Sequence, residues 1–297
     1  MIKNINFAGF IITYERHEIL LDTINKVFDQ TYAPEKILIV DNSETEHTKN
    51  LIEGLKDPKI EYYRVGYNSG PAGGAYFGLK ILSEQGYQWI YWGDDDDPPY
   101  FPDVFEKLLK IASENPITGC VGAVGQFFDN KNGLLRRVSN EMLNGEGILE
   151  VNNIAGGMIK IVNSEIVVKH SVLPNASLFY GFEELEYDLQ IQNVGYSLLV
   201  DKELFYRHRL FHNRVQLKKS VVKKTEKQLA RDYYSTRNML FILKGNKLFS
   251  ALCFTFLRIN YKCVVAFQYG FRYGIMNFIY QVKAVLHFVF SKYGKTL

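Results

Sequence analysis

The sequence predicts an α/β fold with a mainly parallel central sheet flanked by helices. Two observations carry this. Strand and helix signals alternate through the first hundred residues, which is the pattern of βαβ units. Four consecutive aspartates, Asp94 to Asp97, directly follow the apolar run Trp89 to Trp92, so acid begins where a strand ends. Ligands of open α/β sheets bind outside the carboxyl ends of the strands. Four adjacent carboxylates repel one another, and a fold holds them most easily where a cation compensates. A hard divalent ion, which prefers oxygen ligands, suits that role. The plainer reading of the same stretch is a solvated acidic loop closed by Pro98 and Pro99.

Taken in order, Phe7 to Ile12 reads as a buried strand. Ile19, Leu20, Ile24, Val27 and Phe28 recur at helical spacing between His17 and Gln30. Ile37 to Val40 is a second strand, ending in Asp41, Asn42 and Ser43, and Thr45 to Leu55 a helix. Ile60 to Val65 is a third strand, Ala72 to Gln85 a helix that follows glycines, and Trp89 to Trp92 a further strand. Beyond residue 103 the signal is mixed. Asp103 to Ser113 looks helical, Cys120 to Phe128 like one strand, and Asn153 to Ile159 like a strand entering a close-packed turn. Leu185 to Gly195 looks like a helix capped by its glycine. From about 220 the pattern is helical and aromatic-rich, which sets a boundary near 215–225.

A chain of 297 residues with 47% hydrophobic and 23% charged residues has ordinary globular composition. Cys120, Cys253 and Cys263 are too few and scattered for a disulfide framework or a zinc site, which suits a reducing cytoplasm. No apolar stretch with a small-residue cleavage site opens the sequence, so a cytoplasmic chain is expected. The net charge of +3 is unevenly spread. Acid clusters at 94–97 and 183–188, and base between Arg207 and Arg231.

Four segments, in order, make a pattern. They are Phe10 to Arg16 with Asp41 to Ser43; Asn68 to Gly74; Asp94 to Pro99; and Phe182 to Tyr187 with Gly195, Tyr196 and His208. Each alone is weak. Together, covering about residues 5–212, they resemble the inverting family 2 glycosyltransferases of the GT-A fold. The resemblance implies a catalytic unit over 1–215, with a nucleotide-binding half to about 100 and an acceptor half from about 101. A helical segment, 216–297, follows.

The resemblance also implies roles. Asp41 is similar to the residue that accepts a hydrogen bond from the nucleotide base, although an aspartate there also suits a helix cap. Thr13, Tyr14 and Arg16 follow the first strand, and a guanidinium binds diphosphate oxygens as a fork. Asn68, Gly70 and Gly73 belong to a glycine-rich turn that permits close approach to the donor at a helix start. This turn lacks the Gly-Lys-Ser/Thr ending of a Walker motif. Asp94 and Asp96 fit the family's D-x-D pair. Asp96 would bind Mn²⁺ or Mg²⁺ directly, Asp94 would lie near ribose or metal, Asp95 would support them, and Asp97 would be solvated. His208 resembles the late histidine that completes the metal shell, with His212 competing; Mn²⁺ accepts an imidazole more readily than Mg²⁺. Glu183 and Glu184 occupy the position of the base that takes the acceptor proton. Glu183 is favoured by the register of Glu186 and Tyr187. Gly156 and Gly157 resemble the turn lining the sugar pocket, and Phe182 and Trp92 could stack on sugar.

The Phe-x-x-Leu-Glu-Tyr stretch at 182–187 looks most like galactofuranosyltransferases, which makes UDP-galactofuranose the first donor and dTDP-rhamnose the second. The expected acceptor is a hydroxyl of a bacterial cell-surface glycan or its lipid-linked precursor. No nucleic-acid partner is expected. A catalytically dead sugar-nucleotide-binding scaffold is the competing class, and the intact acid set argues against it. A nucleotidyltransferase would carry glycines near the amino terminus, which Phe10 to Arg16 lacks.

In the carboxyl-terminal segment, Leu248 to Leu257, Cys263 to Phe271 and Tyr273 to Val282 are apolar and aromatic, with Arg258, Lys262, Arg272 and Lys283 between or beyond them. Read separately, none reaches the roughly 18–20 residues of a spanning helix. Basic, aromatic-rich helices suit an anionic membrane surface; a homo-oligomer interface is the alternative. Tyr234, Arg237 and Asn238 resemble a signature of bacterial polysaccharide members.

Overall fold

The computed structural model describes residues 5–155, 159–216 and 223–297. The amino-terminal half alternates as the sequence predicts: β1 (Phe7–Thr13), α1 (His17–Phe28), β2 (Ile37–Asp41), α2 (His47–Leu55), β3 (Ile60–Arg64), α3 (Gly70–Glu84) and β4 (Trp89–Asp94). There follow α4 (Val104–Glu114), β5 (Thr118–Gly122), β6 (Gly125–Asp129), β7 (Leu134–Arg137), β8 (Ile148–Val151), β9 (Asn153–Ile154), β10 (Lys160–Asn163) and α5 (Glu165–His170). Next come α6 (Glu183–Asn193), β11 (Ser197–Asp201) and α7 (Lys202–Phe211), then α8 (Glu226–Gly245), α9 (Phe249–Val265) and α10 (Phe271–Val289).

Among the described residues the strands form an eight-stranded sheet, ordered β3-β2-β1-β4-β10-β5-β11-β8, and a three-stranded sheet, β7-β6-β9. The run β3-β2-β1-β4 is parallel, and β10 lies antiparallel between β4 and β5. All of β1 and β2 is buried, as a parallel sheet covered on both faces requires. Phe7 and Ile11 of β1 pack with α1 and α4 on one face. Phe10 and Ile12 pack toward α3 and α6 on the other. α3 sits close because it is glycine-rich: a Cβ on Gly78 would lie 2.4 Å from the Phe10 ring.

The sequence reading departs from the structure mainly in the second half of the chain, where β7, β8, α5 and α7 were not read and the strand expected from Asn153 is only the two-residue β9. The single strand expected over Cys120 to Phe128 is two, in different sheets, because the chain leaves the main sheet after Gly122. β10 and β11 were not anticipated; β10 opens on a charged residue, Lys160, which breaks its apolar signal. The first two apolar runs of the carboxyl-terminal segment are continuous in the structure. Phe249–Tyr269 forms one helical stretch of 21 residues with mean hydropathy 1.3, because Arg258 and Lys262 interrupt the apolar run without interrupting the helix. That stretch is long and apolar enough to cross a membrane by length and composition, contrary to the separate reading.

The carboxyl-terminal helices share cores with the rest. Met239 and Leu243 of α8 pack with Phe128 and Leu185, and Ile242 packs with Ala72 and Leu178.

Candidate active site

A cavity of about 410 Å³ opens at the carboxyl ends of β1 and β4, a size suited to a small-molecule ligand. The β1–β4 register sets Ile12 beside Asp94, so the residues after each strand meet. Thr13 donates to Asp95 Oδ2 at 2.8 Å, and the Arg16 guanidinium reaches Asp95 Oδ1 at 3.2 Å. Arg16 also pairs with Asp96. Thr23 of α1 donates to the Asp95 carbonyl at 2.7 Å. Asp95 is thereby a buried tie between β1, α1 and β4, while Asp96 is exposed on the cavity.

Thr13, Tyr14, Arg16, Asn68, Gly70, Asp94, Asp95 and Asp96 all line this cavity. Asp41, Gly73, Glu183 and Glu184 are not among its lining residues. Asp41 is fully buried and accepts from the Ser43 N–H and the Tyr62 hydroxyl, each at 2.8 Å; it caps no helix. Gly73 packs against Ser69, whose Oγ would lie 2.3 Å from an added Cβ. Gly70 has φ +70°, and a Cβ there would lie 2.1 Å from the Phe179 carbonyl oxygen. The helix therefore starts on glycine because the loop before α6 presses on it.

Several lining residues were missed by sequence reasoning. Asn42 accepts from Ser69 Oγ at 2.6 Å and donates to the Gly70 carbonyl, fixing the turn before α3. Phe179 and Tyr180 come from the loop before α6, and Arg231 comes from α8. The cavity thus draws Arg231 from beyond residues 1–215. Arg231 stood within a basic run, with nothing in its spacing to separate it from its neighbours.

Glu183 opens α6, is buried, and its Oε2 has no hydrogen-bond partner. Burial, then Glu184 and Asp94, raise its carboxyl well above the usual carboxylate range. Asp94 is pushed up to about 8 by burial and by Glu184, Asp95, Asp96 and Asp97. Glu183, Glu184 and Asp94 therefore act on one another electrostatically. The loop that delivers Glu183 is strained: Phe179 and Phe182 both have φ +66°, a costly region for bulky residues. The carboxyl-terminal signature holds it there. Asn238 Nδ2 donates to the carbonyls of Leu178, Tyr180 and Gly181 at 3.0, 2.9 and 2.9 Å. Arg237, fully buried, donates to the Leu178 carbonyl at 2.9 Å.

A second device went unseen in the sequence. Lys160 and Asp188 form a fully buried pair at 2.6 Å, and Asp188 also accepts from the Ile154 N–H at 2.7 Å. Lys160 lies over the Trp92 and Tyr187 rings at 5.0 and 5.5 Å. Trp92 is fully buried in the core, so the structure does not offer it to a sugar. Phe182 packs into apolar clusters shared with α8. Gly156 and Gly157 lie outside the described residues.

The acid set fits a hard cation. Burial, then its acidic neighbours, drive Asp94 toward protonation, and Asp94 and Asp96 would hold a divalent ion that offsets this repulsion. His208 does not join them. It is buried, its Nε2 lacks a partner, and it lines a separate cavity with His212, Arg209 and Arg214. Burial holds its imidazole down to about 4, so it is neutral. Tyr100 links the two regions: it holds Asp97, and its ring is edge-on to His208 at 6.1 Å and to His212 at 4.9 Å. Among the described residues no three acidic, histidine or cysteine side chains are gathered as a preformed metal shell. Asp97 is less free than predicted; burial pushes it up to about 6.

Residues 10–165, more than half of the chain, match the model of Glycosyl transferase family 2. The chain belongs to this family. A galactofuranosyltransferase of Mycolicibacterium smegmatis is 24% identical over 199 residues, 63% of this chain and 66% of that protein. The chain thus spans slightly under two thirds of that relative's length. Among solved structures, a mannosyltransferase from Pyrobaculum calidifontis in complex with GDP-Man and Mn²⁺ superposes with a TM-score of 0.56 at 12% identity, over 97% of this chain and 88% of that one. TarS 1–349 of S. aureus in complex with UDP gives a TM-score of 0.52 at 14% identity, over 80% and 65%. The mostly parallel sheet flanked by helices is the GT-A fold that these structural neighbours share.

Proposed function

We propose that this family 2 chain is a metal-dependent, inverting glycosyltransferase. It moves a sugar from a nucleoside-diphosphate donor to a hydroxyl of a bacterial glycan or its lipid-linked precursor. The carrying observation is the convergence of Thr13, Arg16, Asn68 and Asp94–Asp96 on one cavity, with buried Glu183 electrostatically coupled to Asp94. UDP-galactofuranose is the first donor, supported by the galactofuranosyltransferase relative and by the 182–187 stretch.

In this mechanism Asn68 and the turn at Gly70 bound the nucleotide end of the cavity, and Arg16 contacts the diphosphate. Glu183 takes the proton of the acceptor hydroxyl as its oxygen attacks the anomeric carbon from the face opposite the diphosphate. The bond from that carbon to the phosphate oxygen breaks, which inverts the centre. Its unpaired Oε2 and raised proton affinity suit this transfer. Asp94 and Asp96 would hold a divalent ion, which would neutralise charge on the leaving diphosphate.

The test is a panel of UDP-galactofuranose, UDP-galactose, dTDP-rhamnose and GDP-mannose, with Mn²⁺ and soluble glycan acceptors. It is scored by nucleotide release and by product anomeric configuration. UDP-galactofuranose should give the highest turnover, with inversion. Retention would remove Glu183 from the role of base, and a clear preference for dTDP-rhamnose would replace the donor.

A further inference from the structure

α10 turns its apolar residues outward. Phe271, Ile275, Phe278, Val282, Leu286 and Val289 are exposed, and steps of three and four residues place them on one helical stripe. The opposite face buries Gly274, Asn277, Gln281 and Ala284, with Phe288. A helix on the surface of a water-soluble domain has the reverse pattern. α9 repeats it: Ala251, Thr255, Ile259 and Cys263 are buried, while Phe254, Leu257, Tyr261 and Val264 are exposed. The inward polar groups find partners inside the helix bundle. Thr236 of α8 donates to Gln281 at 3.1 Å, and Asn277 donates to the Lys262 carbonyl at 3.3 Å. Small and polar residues between helices, with apolar residues outside, is the arrangement of helices solvated by lipid.

The concentration is high. Among the described residues, sixteen of the twenty-seven exposed large apolar side chains lie from Phe249 onward. Apolar area on that scale marks an interaction surface. Charge selects the occupant. No aspartate or glutamate follows Asp232, while nine lysines and arginines do. Lys244, Lys247, Arg272, Lys292 and Lys295 are exposed. A two-fold contact between copies through this segment would bring together like-charged surfaces, because the segment after Asp232 has cations and no acid to pair them. An anionic lipid surface complements them.

We propose that α9 and α10 dock into one leaflet of an anionic bilayer, with their axes near the membrane plane. A spanning arrangement conflicts with α8. That helix lies against α10 through Gln281–Thr236 and through the Tyr233 hydroxyl to His287 Nδ1 at 2.6 Å, and it exposes Glu226, Lys227 and Arg231 to water. This inference does not depend on the transferase reading.

The experiment is flotation of the full-length chain with vesicles of phosphatidylcholine alone, or mixed equally with phosphatidylglycerol, at low and high salt. The chain should float with the anionic vesicles, weaken as salt rises, and bind neutral vesicles poorly. Phe278→Asp combined with Val282→Asp should cut binding at least about tenfold. Lys292→Gln and Lys295→Gln should each cut it about fivefold at low salt. All four residues are exposed, so melting temperature and UDP binding should hold, and the lysine variants serve if the aspartate pair fails to fold. Wild-type binding by folded variants would overturn the proposal. So would a salt-insensitive dimer by light scattering with no vesicle binding. Resistance to an alkaline carbonate wash would overturn the in-plane arrangement in favour of spanning.

Discussion

Glu183 differs from Glu184, its neighbour in sequence, in burial and in an unpaired oxygen. Glu183→Gln keeps the shape and removes the proton acceptor. Turnover should fall about 10²–10⁴-fold, with UDP binding by calorimetry unchanged. Glu184→Gln should lose far less; the reverse ranking would move the role to Glu184. The carboxyl of Glu183 is raised, and a base works only when ionised. The acid limb of the kcat/KM profile should therefore lie above the ordinary carboxylate range, with activity falling as pH drops through it, and Glu183→Gln should abolish that limb. At the acid run, EDTA and Asp96→Asn should each abolish turnover, while Asp97→Asn should act weakly; full activity in EDTA would remove the proposed ion from the mechanism. These acids were legible because an acid run after an apolar strand is a strong local signal. Lys160 and Asp188 were not, since 28 residues separate them and nothing local marks either as a partner. Asp188→Asn would leave Lys160 buried without its counter-charge, and the loss of stability should be about 3–5 kcal/mol by denaturant unfolding.

Legibility at the scale of elements follows continuity of signal. β1, β2 and β4 carry apolar runs buried on both faces, and the helices between them keep helical spacing, so the amino-terminal half could be read in order. The second half mixes sheets and directions. Nothing between Gly122 and Gly125 announced a change of sheet, and β9 has two residues. The loop before α6 was readable only as the site of Glu183. What holds it comes from α8, some sixty residues later. Asn238→Ala removes the donor to three carbonyls at once. We expect a loss of about 1–3 kcal/mol in stability. Turnover should also fall although Asn238 is outside the cavity lining, because Phe179, Tyr180 and Glu183 ride on that loop. Unchanged kinetics in a folded variant would show that the loop keeps its shape without the clamp.

At the scale of the molecule, the sequence reading sets a boundary near 215–225, and the resemblance covers only residues 5–212, so the site was expected to lie within them. The contacts tie the two sides of that boundary together. Arg231 lines the cavity at the ends of β1 and β4. The tail returns to the loop before α6: the Gly294 N–H donates to the Ser177 carbonyl at 2.7 Å, and Arg237 donates to the Gly294 carbonyl at 2.9 Å and to Thr296 at 3.0 Å. Leu240 of α8 packs with Ile259 and Cys263 of α9 and Phe288 of α10. Truncation after Gly245 would expose that cluster and strip Arg237, which is fully buried, of its tail acceptors. A buried guanidinium that loses its partners is costly. The truncated chain should therefore melt well below the full chain and bind UDP more weakly, since the loop bearing Phe179 and Tyr180 loses its brace. Thermal unfolding with and without UDP and Mn²⁺ reads both effects. A truncated chain with full-length stability and UDP affinity would show that the catalytic unit stands alone and that the carboxyl-terminal helices serve only the surface they present.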